Sequence, residues 1–122
     1  MKFTKSIEDY LEAIHLLDKE KGEVKVNDIA ANLDVKLPSV TQMIRKLSDK
    51  GLVSYKSYGP IELTQKGREI AKNVYSRHQL LAEFFISVGV DQKTALKDAC
   101  LAEHALSKKT IDKLKIFVKI KE

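Results

Sequence analysis

A chain of 122 residues with 43% hydrophobic content can bury one modest core and falls within the size of a single domain, with room for an appended helical piece. Its formal charge of +5 and pI near 9.2 suit a polyanionic partner without requiring one. The single Cys100 excludes an internal disulfide, residues 1–5 lack a signal-peptide core, and no window approaches the roughly 20 uncharged apolar residues of a membrane span, so the sequence reads as cytoplasmic.

Over 6–17, Ile7, Tyr10, Leu11, Ile14 and Leu17 recur at helical spacing, with Ser6 as the expected N-cap and Asp9 and Glu12 together on another face. Gly22 ends this helix. A short second helix follows over 29–33, with Asn27 as its expected N-cap. After a turn over 34–37, Pro38 takes a first-turn position and Val40, Met43, Ile44 and Leu47 form one stripe, closed by Gly51. Ser39, Thr41, Gln42, Arg45 and Lys46 remain on the outer side.

Residues 52–56 and 61–64 alternate apolar and polar types around turn chemistry at Tyr58, Gly59 and Pro60, which predicts a small hairpin. A long helix is expected over 65–88, with Ile70, Val74, His78, Leu81, Phe85 and Val88 on one face. Gly89 breaks it, Asp91 caps a helix expected to continue to Leu106, and Ser107 caps a last amphipathic helix carrying Ile111, Leu114, Phe117 and Val118.

Two short helices joined by a tight turn and followed by a hairpin describe a winged helix-turn-helix, whose second helix enters the major groove of DNA. Pro38, Ser39, Thr41 and Gln42 let the backbone approach base edges and phosphates. Arg45 and Lys46 add phosphate contacts, and Lys56 and Tyr58 are candidate wing contacts. A lone helix with this pattern would be read as a solvated face; the hairpin and the preceding capped helix favour DNA.

A second constellation involves metal-ligating types. Asp9 and Glu12 stand one helical turn apart, a spacing that ordinarily complements the helix dipole, and a single His78 on an apolar stripe is ordinarily a core histidine. Cys100, Glu103 and His104, at i, i+3 and i+4, place thiol, carboxylate and imidazole on one face, which packing does not explain. A nucleophile–base pair lacks an orienting group or oxyanion hole, and a closed structural zinc site favours several thiolates. A carboxylate-rich set suits exchangeable iron or manganese better.

The chain resembles the diphtheria-toxin-repressor family of metal-dependent regulators, especially its short manganese-transport-regulator branch. The resemblance is carried by Ser-Ile-Glu-Asp-Tyr-Leu-Glu at 6–12, Pro-Ser-Val-Thr-Gln-Met at 38–43, Leu-Thr-Gln-Lys-Gly at 63–67, Arg77-His78 and Glu103-His104. It implies a dimeric repressor whose bound metal fixes two recognition helices at operator spacing, with Asp9, Glu12, His78, Cys100, Glu103 and His104 as ligands. Cys100 is the iron-branch choice and Asp9 the manganese-branch choice, so the implied site is a hybrid. The positions of the iron branch's ancillary ligands hold Ala82 and Leu96, and the SH3-like domain of longer members is not expected beyond Glu122.

The resulting expectation is a mostly α chain, with a winged helix-turn-helix over 1–72 and a helical metal-binding and dimerisation domain over 73–122. It is read as a homodimeric, non-enzymatic repressor of metal-uptake genes that binds double-stranded operator DNA away from any membrane, activated by Fe(II) in preference to Mn(II). A metal-independent winged-helix regulator and a mononuclear metalloenzyme are the rival readings.

Overall fold

The computed structural model describes residues 3–55 and 59–121, and among these it contains six helices and one two-stranded antiparallel sheet. The chain divides into two compact units, Met1–Lys72 and Asn73–Glu122.

In the first unit, α1 (Lys5–Lys21) starts two residues earlier than a cap at Ser6 would place it. Thr4, not Ser6, is its N-cap, with the hydroxyl accepting from the Ile7 amide at 3.2 Å. Thr4 has the extended backbone a cap needs, which leaves Ser6 within the first turn. Gly22 closes α1 in the left-handed region at φ 78, its N–H donating to the Asp18 carbonyl.

α2 (Val26–Leu33) includes Asn27, so the expected cap is corrected. The Asp28 carboxylate accepts from the Lys25 amide at 3.0 Å and from Lys21 Nζ at 2.9 Å. The Lys21 hydrogen bond, followed by the Lys25 amide, holds the Asp28 carboxyl below the usual carboxylate range.

Asp34, left-handed at φ 54, turns the chain into α3 (Leu37–Asp49), which has Pro38 in its first turn and Val40, Ile44 and Leu47 fully buried. Together with Leu11, Ile14, Ile29, Leu52 and Ile61, these residues make the core of the first unit.

β1 (Val53–Tyr55) pairs with β2 (Ile61–Leu63) in the register Val53 to Leu63, Ser54 to Glu62 and Tyr55 to Ile61. The Ile61 amide also donates to the Val24 carbonyl at 2.7 Å, tying the hairpin to the α1–α2 connection. Thr64 then joins three segments: its hydroxyl donates to the Gly51 carbonyl at 2.7 Å and accepts from the Gly67 amide at 3.1 Å, while its own amide donates to Leu52. α4 (Gln65–Ser87) starts here, and the boundary between the units falls within it.

The second unit contains the rest of α4, α5 (Gln92–Ala102) and α6 (Lys108–Lys121). Leu81, Ala82, Ala99 and Ile111 form its buried centre, with Leu80, Phe85, Leu106 and Leu114 packed around them. Phe84 meets Phe117 edge-on at 5.7 Å.

Two expectations are revised in this unit. Val88 is 59% exposed, because α4 stops at Ser87 and the helical stripe stops with it. α5 ends at Ala102, so Glu103 and His104 lie in the turn beyond the helix. The caps at Asp91 and Ser107 are present: Asp91 accepts from the Thr94 amide at 3.0 Å, and Ser107 Oγ from the Thr110 amide at 3.2 Å.

Gly67 supports a sharp prediction. A Cβ built there would lie 2.0 Å from the Leu52 carbonyl oxygen, a backbone atom that cannot step aside, whereas Gly51 has φ +74 and open space around it. Gly67→Ala should cost about 3 kcal/mol or more through overpacking. Gly51→Ala should cost only about 1 kcal/mol through left-handed strain. Urea unfolding of both variants checks this, and equal losses would show that the α4 start can slide off Leu52.

His15 supplies a pH dependence. Burial in the first place, then the charges of Lys19 and Lys72, hold its imidazole below the ordinary 6.5. The folded state therefore favours neutral His15: its contribution is complete above the unfolded value and is lost as pH falls through 6.5 toward the lower folded value. His15→Gln should flatten the fall in stability between pH 7 and 5.5; an unchanged slope would assign that fall to other groups.

Candidate functional site

The outward face of α3 is polar because its inward face is fully committed to the core. Pro38, Ser39, Gln42, Arg45 and Lys46 are exposed, and they recur at spacings that keep them on one side of the helix. Thr41 is half-buried, its hydroxyl donating to the Leu37 carbonyl at 3.2 Å, so its oxygen is available to a ligand as an acceptor. The first turn of α3 holds no acid, and its cap, Lys36, makes no side-chain capping hydrogen bond, leaving the positive end of the helix dipole open to phosphate. Lys56 and Tyr58, the expected wing contacts, lie outside the described residues.

On α1, Asp9 and Glu12 are both half-buried, and Asp9 Oδ2 accepts from Lys5 Nζ at 2.8 Å. Their neighbour Glu8 is 4% exposed, a buried carboxylate that periodicity does not flag.

The second unit carries four expected ligands on α4, α5 and the following turn, and of these it brings Cys100 and Glu103 each close to His104, whereas His78 joins neither pair. His78 Nε2 lies 3.1 Å from the Leu96 carbonyl. A carbonyl only accepts, so Nε2 carries the proton and Nδ1 holds the lone pair a metal needs. Cys100 is half-buried in the last turn of α5.

Glu103 is 2% exposed and keeps right-handed helical torsions although the helix has ended, its amide donating to the Ala99 carbonyl at 3.0 Å. Its side chain turns inward, with Oε1 2.8 Å from His104 Nε2 and Oε2 accepting from Arg77 Nε at 3.3 Å. The helical offset of the Cys100, Glu103 and His104 set thus survives into the turn.

Carboxylate, imidazole and thiol within one turn fit a first-row divalent ion. The places of the ancillary ligands do not add to this set: Ala82 is buried in the core, and Leu96 contributes its carbonyl to His78. Arg77 is the residue whose role the sequence left unassigned. Its adjacency to His78 is visible there, but its reach to Glu103, 26 positions away, is not.

Comparison with known proteins decides the family. The N-terminal DNA binding domain of the iron dependent repressor family matches residues 2–61, and the metal binding and dimerisation domain of the same family matches residues 64–120. The chain belongs to the iron-dependent repressor family.

Among its relatives, an HTH-type transcriptional regulator of Methanocaldococcus jannaschii is 43% identical over 117 residues, covering 94% of each chain. The regulator MntR of Bacillus subtilis is 41% identical over 111 residues, covering 91% of this chain and 78% of its own. A solved manganese-dependent transcriptional repressor in complex with manganese superposes with a TM-score of 0.85 at 27% identity, over 93% of this chain and 52% of that one. This repressor-family chain therefore spans about half the length of that solved regulator.

The domain matched over residues 2–61 is a DNA binding domain, and α3 within it presents an outward polar face. Gln42→Ala should relax sequence preference by about 1–3 kcal/mol at the base it reads. Lys46→Ala should weaken binding to all duplexes alike and lower the salt slope by about 1. Fluorescence anisotropy on matched and scrambled duplexes at several salt concentrations checks both; parent-like behaviour of the two variants would remove α3 as the recognition helix.

Proposed function

We propose that this chain is a homodimeric repressor of metal-uptake genes, turned on by a divalent transition metal, with Fe(II) favoured over Mn(II). The observation that carries the metal-responsive part is the Arg77–Glu103–His104 cluster, a buried carboxylate and imidazole in contact beside the half-buried thiol of Cys100. Asp9, Glu12, His78, Cys100, Glu103 and His104 are the proposed ligands, and the exposed face of α3, together with Lys56 and Tyr58, is the proposed DNA contact. Residues 1–72 act as the DNA-binding domain and 73–122 as the metal-binding and dimerisation domain.

Dimerisation through the second unit is supported by its large exposed apolar side chains. Ile86, Val88, Leu101, Ile116 and Phe117 are each 42–59% exposed, more apolar surface than a small unit usually leaves to water. Leu81, by contrast, is core, so the α4 residues divide between an inner and an outer role. No helix among the described residues is long and apolar enough to cross a membrane, and a regulator of DNA works in the cytoplasm.

The metal preference rests on Cys100. Its thiolate favours softer ions, whereas Asp9 and Glu12 supply hard oxygens that Mn(II) accepts; since Mn(II) stands lowest in the usual affinity order, each thiolate weakens its selection. Manganese is the second reading, favoured by the likeness to the manganese-dependent repressor solved in complex with manganese.

An operator selected from a random-sequence duplex pool, titrated anaerobically with Mn(II), Fe(II), Co(II) and Zn(II), tests effector, function and the expected two chains per half-site pair together. Cys100→Glu should raise activation by Mn(II) relative to Fe(II) and Co(II), and Asp9→Met should lower the Mn(II) response. Equal affinity with and without chelator would make the chain a metal-independent regulator. An unchanged metal order in Cys100→Glu would mean that the thiol does not select.

A further inference from the structure

We propose that Arg77 is a positioning residue of the metal centre: it holds one oxygen of the buried Glu103 carboxylate so that the other stays aimed, with His104, at the ion. The inference rests on the metal-centre reading above, and every contact it uses lies within the second unit.

The two carboxylate oxygens are divided between two partners. Oε2 accepts from Arg77 Nε at 3.3 Å, and Oε1 faces His104 Nε2 at 2.8 Å. His104 and Glu103 Oε1 would hold the ion, while the guanidinium retains Oε2. The carboxylate is 2% exposed, so water cannot hold its orientation, and the Arg77 side chain, 28% exposed, is the cation that grips it.

Arg77 also leaves α4 one position before His78, whose Nε2 is anchored on the Leu96 carbonyl. Adjacent residues of one helix thus fix a ligand each: His78 by anchoring its own ring, Arg77 by anchoring Glu103. Partners of this kind behind a metal ligand change metal affinity by about 10–100-fold when removed.

The alternative is a buried ion pair that serves stability alone, and the sign of one measurement separates the two. A guanidinium beside a cation site repels the cation, so if Arg77 merely stood nearby, its removal would tighten metal binding. If it positions Glu103, removal loosens it.

The test uses the full chain, stripped of metal and titrated anaerobically with Co(II), read by calorimetry and by the ligand-field absorption bands. Arg77→Met should bind Co(II) about 10–100-fold more weakly, with altered bands. Arg77→Lys, which restores the charge but not the planar fork, should fall between Arg77→Met and the parent. In a Glu103→Gln background, Arg77→Met should cause no further weakening of Co(II) binding.

Parent-like or tighter Co(II) binding by Arg77→Met overturns the proposal, as does an undiminished effect in the Glu103→Gln background. Thermal melts of the metal-free variants accompany the titration. Should Arg77→Met not melt cooperatively, Arg77→Lys decides, since parent-like affinity and bands in that variant overturn the proposal equally. If the parent itself binds no Co(II), the metal-centre reading fails and this inference falls with it; if the parent binds and Arg77→Met matches it, only this inference falls.

Discussion

The second unit is organised around one buried charge. A carboxylate removed from water costs several kcal/mol unless strong partners replace its hydration. Glu103 meets that requirement with the Arg77 guanidinium from α4, while its other oxygen lies 2.8 Å from His104 Nε2. The requirement reaches into the backbone. α5 stops at Ala102, yet Glu103 keeps helical torsions and donates its amide to Ala99, which turns the side chain inward just as the chain leaves the helix. The Ala105 and Leu106 amides then close on the Ala102 carbonyl, and Ser107 caps α6. An uncharged residue at 103 would remove the reason for this turn to face the interior.

The first unit depends on a different constraint, the approach of backbone to backbone. Leu52 donates its amide to Leu47 at the end of α3, receives the Thr64 amide on its carbonyl, and lies against Gly67 so closely that no side chain fits between them. The end of α3, the hairpin and the start of α4 are thereby held at one point. A helix fixed at its end, with Val40, Ile44 and Leu47 fully buried, presents its outer residues on a rigid support, which is what reading base edges requires.

Much of this was legible in the sequence, because helices and hairpins follow from spacing and turn chemistry. The stripe of Val40, Ile44 and Leu47, the left-handed glycines at 22, 51 and 89 and the cap at Asp91 are local signals, and the structure contains each of them. The misses share a cause. Thr4 rather than Ser6, and Lys25 rather than Asn27, are shifts of two residues, decided by which residue has the extended torsions a cap needs, with Asp28 reaching back to the Lys25 amide. Val88 followed the right period past the point where the helix stopped. Arg77 and Gly67 carried no local signal for their roles, because each acts on a partner distant in sequence, Glu103 and Leu52 respectively.

The proposed ligand set joins these observations to selectivity. A divalent site chooses among first-row ions less by raw affinity, which always ranks manganese low, than by how firmly its donors are held and how many are oxygen. With Ala82 in the core and Leu96 offering only a carbonyl, no side-chain donor stands at the ancillary positions, and on the proposed reading selectivity would fall to the centre that contains Glu103. There the imidazole of His78 is fixed by a carbonyl and the carboxylate of Glu103 by a guanidinium. The thiol of Cys100 stands instead in the last turn of α5, the helix end that the Glu103 turn must hold in place. On the proposed ligand set, the firmness of that turn would set how closely the soft donor approaches an ion, and Arg77, though it carries no metal, would bear on which metal is preferred.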